Sequence, residues 1–145
     1  MSDPLYRKEL LRLAADAAGA GRLEAPDGSA TVHNPACGDR ITVEVQLADG
    51  RIAGLAHRTQ ACVLTQASAA ILGAHAAGLD RSDLKVLAEN VAAMLSGGTT
   101  PAPPFQDFSA FDGVASHKGR HKCVLLPLEA ALAALSDSNA AKPGA

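Results

Sequence analysis

A thiol and a carboxylate stand two residues apart in Asn34-Pro35-Ala36-Cys37-Gly38-Asp39. Whatever they bind together must draw in distant parts of the chain. Asn34-Pro35 forms turns readily, and Gly38 lets the backbone bend sharply between the two groups. If the turn is extended through Gly38, both side chains can point to one side. The other cysteines are Cys62 and Cys123, far downstream. Three thiols and one carboxylate make four donors, the number a tetrahedral metal site needs.

At 145 residues the chain is the size of one domain and can bury a real core. Residues 1–136 read as that domain, and the small, polar stretch 137–145 reads as a disordered tail. Apolar residues make up 48% of the chain but aromatics only 3%, with no tryptophan. The core must therefore come from Ala, Leu, Val and Ile. A net charge of −2 gives no sign of a nucleic-acid or anionic-membrane partner. No apolar run reaches the roughly 18 residues of a membrane span, and the first residues lack a signal-peptide pattern. The default compartment is the cytoplasm, where cysteines are reduced or metal-bound rather than paired.

Helical spacing of Leu5, Leu10, Leu11, Leu13 and Ala14 predicts a helix over 4–18, ended by Gly19 and Gly21. Residues 20–30 read as loop. From Ala30 the period changes to two. Ile41, Val43, Val45 and Leu47 alternate with polar residues, Asp49-Gly50 marks a hairpin turn, and Ile52 to His57 is the return strand. With Thr31-Val32-His33 on the other side, an antiparallel meander of three strands results. Cys62 falls where the return strand meets a helix rich in small residues. The positive end of that helix would favour the thiolate. Gly78 closes it and Asp80 can cap the next, whose apolar stripe is Leu84, Leu87, Ala88, Val91, Met94 and Leu95. Phe105, Phe108 and Phe111 read as pins to the core. A last helix runs from His117 to about Ser136, with Cys123 near its start. Pro127 either kinks that helix and frees the Cys123 carbonyl, or marks a later start near Leu126. The fold class is α+β: a small antiparallel three-stranded sheet covered by helices, one before it and three or more after.

Taken together, Asn34-Pro35-Ala36-Cys37-Gly38-Asp39, Cys62-Val63-Leu64-Thr65-Gln66-Ala67-Ser68 and Arg120-His121-Lys122-Cys123 resemble the iron–sulfur cluster assembly scaffold family. Its members are IscU, SufU and the N-terminal domain of NifU. The shared pattern is N-P-x-C-G-D followed by C-x-x-[ST]-x-A-S, and the resemblance runs from the first helix to about Leu135. Cys123 follows Cys62 by 61 positions, similar to the SufU branch. IscU proteins have a shorter gap, a Leu-Pro-Pro-Val-Lys docking motif and a His where this chain has Lys122. The chain also departs from relatives at Leu13-Ala-Ala-Asp-Ala-Ala-Gly, at Ala61 and in lacking tryptophan.

The resemblance implies that Cys37, Asp39, Cys62 and Cys123 are metal ligands, with Arg120 as an auxiliary group stabilising thiolate or persulfide charge. It implies zinc or iron as the metal, with a transient [2Fe–2S] cluster on the scaffold branch. Cys123 would accept persulfide in the scaffold mode and Cys37 in a zinc-dependent sulfur-transfer mode that builds no cluster. Expected partners are a cysteine desulfurase of the SufS, IscS or NifS kind and apo iron–sulfur proteins, with the chain a monomer or weak dimer. A purely structural zinc is the third reading. Each residue also has a plainer reading. Buried cysteines are often just small hydrophobes, and Asp39 could merely cap its turn. Thr65 and Ser68 read as capping or packing their helix. His121, two residues before Cys123, could compete for the fourth ligand position but reads as solvated. Nothing aims His33 inward, and His57, His75 and His117 read as surface residues.

Overall fold

A computed structural model describes residues 8–35 and 38–140. Leu5, Cys37 and the last five residues lie outside the described residues. The elements run α1 (Lys8–Asp16), β1 (Gly28–Asn34), β2 (Asp39–Ala48), β3 (Arg51–Gln60), α2 (Val63–His75), α3 (Arg81–Leu95) and α4 (His121–Ala140). Two 3-10 helices, Gln106–Val114 and Lys118–Arg120, lie between α3 and α4.

The strands form one antiparallel sheet in the order β1-β2-β3. Ile41, Val43 and Val45 of β2 are fully buried, as their alternation predicts. Asp49 and Gly50 join β2 to β3 with φ of 54° and 77°, the positive pair that a two-residue hairpin turn requires. Above the sheet, α4 lies over β1 and β2 while α2 packs beside it toward β3. In turn α1 covers α2, and α3 packs on α4.

Helix α2 is lined by Leu64, Ala67, Ala69, Ala70, Ile71 and Leu72, and its small residues let neighbouring backbones come close. Asp80 caps α3 reciprocally: it accepts from the Asp83 amide at 2.8 Å, and Asp83 accepts from the Asp80 amide at 3.2 Å. Phe108 and Phe111 are fully buried and Phe105 nearly so. Their three-residue spacing matches three residues per turn of the 3-10 helix that carries the last two, so one face holds them all. In α1, Leu10 is fully buried but Leu11 is exposed, so the apolar face is narrower than its leucines suggest.

Two expectations need correction. The last helix does not stop at Ser136. A 3-10 turn precedes α4, which then runs through Ala140 with Pro127 inside it. The stretch read as the start of a tail is tied down instead. Asp137 accepts from the Ser29 amide at 3.0 Å, and the buried Ser138 hydroxyl donates to the Leu135 carbonyl at 2.7 Å. Nor is His57 a surface residue; it is buried on β3. The chain leaving α1 crosses beside it, with the His57 amide donating to Gly19 and Gly21 donating to His57. Its Nε2–H donates to the Ala18 carbonyl at 2.9 Å, so Nδ1 is left to accept from the Thr59 hydroxyl at 3.0 Å. Burial holds its pKa below the ordinary value, and the bond to Ala18 opposes this only in part. The ring is neutral and structural.

Candidate metal centre

Three elements deliver one side chain each to a common point. Asp39 opens β2, opposite Asn34 at the end of β1, where the turn is closed by the Gly38 amide donating to the Asn34 carbonyl at 2.9 Å. Cys62 is the N-cap of α2, with extended backbone at φ −66° and ψ 167°. Cys123 stands in the first turn of α4. A carboxylate oxygen of Asp39 and the sulfurs of Cys62 and Cys123 all lie within 4.8 Å of one another. Cys123 is fully buried, Asp39 is nearly so, and Cys62 is half-buried. The cluster is therefore walled on one side and open at Cys62.

Local bonds hold it in shape. The Cys62 amide donates to Asp39 Oδ1 at 3.1 Å, placing the carboxylate at the positive end of α2. The Cys62 thiol lies 3.3 Å from Asp39 Oδ2, and the Thr65 hydroxyl 2.9 Å from the same oxygen. Asn34 Nδ2 points at the Cys123 sulfur from 4.0 Å. Pro127 lies inside α4 and has no N–H, so it cannot give the Cys123 carbonyl its usual helical partner. The Thr65 hydroxyl reaches that carbonyl instead at 2.9 Å, and the Ser68 hydroxyl donates to the Val124 carbonyl at 2.6 Å. The irregularity at Cys123 is thus supported from α2.

The thiol of Cys62 is held down at a pKa of about 6. The main cause is the hydrogen bond from Cys123, helped by the amide and hydroxyl of Thr65 and opposed by burial and the charge of Asp39. Below its pKa a thiol is protonated and unreactive, and above it the thiolate attacks. Alkylation of Cys62 in metal-free protein should therefore rise through about pH 6 rather than near 9. Mass spectrometry of the Cys62 peptide after brief iodoacetamide pulses checks this; a midpoint above pH 8 would contradict it.

A thiolate beside a carboxylate in a half-buried pocket is a concentration of negative charge that a cation relieves. Two sulfurs and an oxygen match the donors that zinc and ferrous iron take. Cys37, the remaining expected ligand, lies outside the described residues; the sequence puts it two positions before Asp39. Arg120 ends the 3-10 turn that leads directly into α4. His121 donates from Nε2 to the Ala115 carbonyl at 3.0 Å and is not part of the cluster. His33 is exposed on β1, and His75 packs edge-on against Phe105 with ring centres 5.8 Å apart. Asn34 and the part played by Thr65 were not foreseen from the sequence. The signal for Thr65 was its place three residues after Cys62, where an N-terminal hydroxyl faces back over the helix start.

The family model described as the NifU-like N-terminal domain matches residues 5–137. Two proteins of Archaeoglobus fulgidus, named iron–sulfur cluster assembly scaffold proteins IscU 1 and IscU 2, are each 33% identical over 78 residues. That stretch is 53% of this chain and 51% of theirs, so the chain spans about half the length of the curated relatives it matches. The N-terminal part of a nitrogen-fixing NifU-like protein from Brucella abortus superposes with a TM-score of 0.88 at 31% identity, covering 95% of this chain and 96% of that one. A SufU protein of Fervidobacterium islandicum has the same fold, with a TM-score of 0.83 at 21% identity over 93% and 99% of the two chains. With residues 5–137 matched, the chain belongs to the NifU-like N-terminal domain family.

Proposed function

We propose that this chain builds and hands on an iron–sulfur cluster, with Cys37, Asp39, Cys62 and Cys123 as ligands and sulfur supplied by a cysteine desulfurase. The convergence of Asp39, Cys62 and Cys123 within 4.8 Å carries this reading. The donor set supports it further. Thiolates hold iron firmly, whereas a lone carboxylate is the harder, more exchangeable ligand and leaves a position for incoming iron, sulfide or a recipient protein. A site that opens at Cys62 suits cargo that must enter and leave. Cys123 would take the persulfide, with Arg120 nearby in sequence to balance its charge, and apo iron–sulfur proteins would receive the cluster. Among the described residues no helix is long and apolar enough to cross a membrane.

A second reading is zinc-dependent sulfur transfer, in which Cys37 leaves zinc to take a persulfide and no cluster forms. Lys122, exposed just before Cys123 where IscU proteins carry a His, favours it. Metal and acid-labile sulfide measured on protein purified without oxygen separate the two. Iron with a comparable amount of sulfide is the expected result. About one zinc per chain without sulfide would favour transfer, and no metal at all would end both readings.

A further inference from the structure

Thr65 stands in the first turn of α2, with its side chain fully buried. Its Oγ1 lies 2.9 Å from Asp39 Oδ2 and 2.9 Å from the carbonyl oxygen of Cys123. A hydroxyl has one proton to donate, and a carboxylate and a carbonyl both only accept. The two bonds therefore compete for one proton, and both lie closer than the Cys62 sulfur, 3.6 Å from the same hydroxyl. Pro127 sharpens the competition, since it cannot donate to the Cys123 carbonyl as an ordinary helical residue would.

We propose that Thr65 is a positioning residue that couples the two ligands, giving its proton to Asp39 when the carboxylate is off the metal and to the Cys123 carbonyl when it is on. This rests on the metal-centre reading and adds to it a control on release. A detached carboxylate carries its full charge, and a hydrogen bond to it is about twice as strong as one between neutral groups. A coordinated carboxylate has given much of that charge to the metal, so the carbonyl of Cys123 becomes the better acceptor. Thr65 thus stabilises the open form of the site more than the closed one. It also steadies the turn bearing Cys123 once Asp39 is bound. The consequence is a weaker hold and faster exchange, as a carrier of cargo requires.

The test is the rate at which the full-length, zinc-loaded chain loses zinc to an excess of a chromophoric chelator. Thr65→Val removes the donor and should slow the loss roughly tenfold. Thr65→Ser restores the hydroxyl and should return the wild-type rate. Pro127→Ala gives the Cys123 carbonyl an amide partner, leaves the proton with Asp39, and should speed the loss several-fold. Adding Thr65→Val to it should abolish that acceleration. A purely structural threonine would make both single variants lose zinc faster, or change nothing. Either result for Thr65→Val overturns the proposal. If that variant does not fold, Pro127→Ala decides alone, because it keeps the hydroxyl and adds a helical bond; a wild-type rate there overturns it. Cobalt(II) absorption separates this from the metal centre itself. A wild-type chain without thiolate-to-cobalt bands removes the metal centre and the coupling together. Bands in every variant, without the slowing, remove only the coupling.

Discussion

Cys62→Ala is expected to weaken zinc or cobalt(II) binding by more than about 100-fold, beyond the usual effect of losing a group that merely supports a ligand. The fold should hardly change. Cys62 is half-buried, and its sulfur meets Thr65 of α2 only weakly, 3.6 Å from the hydroxyl, so the methyl of alanine gives up little packing. What disappears is the thiolate that faces Asp39 Oδ2 at 3.3 Å and joins the open side of the cluster to its buried side. The same change at Cys123 would be harder to read, because that side chain is wholly enclosed. Competition against a chelator of known affinity measures the loss, and a melt of metal-free protein checks that stability is kept. Affinity within tenfold of wild type would mean that Cys62 is not a ligand.

Gly28→Ala should have a large effect on stability, about 3 kcal/mol, at the upper end for overpacking of a close contact. A Cβ there would lie 2.9 Å from the Ser138 amide nitrogen and in hard overlap with the carbonyl oxygen of Ala134. Both are backbone atoms of α4 and cannot swing aside. The strand and helix must separate, and the melting temperature should fall by roughly 10 °C. Because α4 also carries Cys123, the variant should lose metal affinity as well, although residue 28 touches no ligand. Chemical denaturation and a metal titration on the same protein test both parts. A change below about 1 kcal/mol would mean that β1 and α4 are less closely packed than described.

Local chemistry wrote much of this architecture into the sequence. Alternation in Ile41–Leu47, the Asp49-Gly50 turn and the Asp80 cap each depend on residues a few positions apart, and each is where its pattern puts it. The same holds for Cys62 at the head of α2. What could not be read depends on segments far apart in sequence. His57 looks like any strand histidine until Ala18–Gly21 crosses over it. Asp137 looks like the start of a tail until the Ser29 amide, from the first strand, gives it a partner.

The site divides in the same way. That Cys62, Asp39 and Cys123 gather at one point was legible because few residue types bind metal and the chain has few cysteines. Pro127 posed two alternatives that sequence could not decide, because a proline inside a helix is acceptable only where other groups serve the carbonyls it neglects. Thr65 is such a group, 58 residues from the Cys123 carbonyl it reaches, while Ser68 adds a bond to the next carbonyl, that of Val124. The contacts of Thr65 join three elements, and its place three residues after Cys62 marks only the one to its own helix start.

Zinc X-ray absorption on the metal-loaded chain tests the central claim most directly, because it counts the atoms around the ion. Three sulfurs at about 2.3 Å and one oxygen at about 2.0–2.2 Å are expected, from Cys37, Cys62, Cys123 and Asp39. Two sulfurs with the multiple scattering of an imidazole would contradict the account, and so would a shell of oxygen and nitrogen alone.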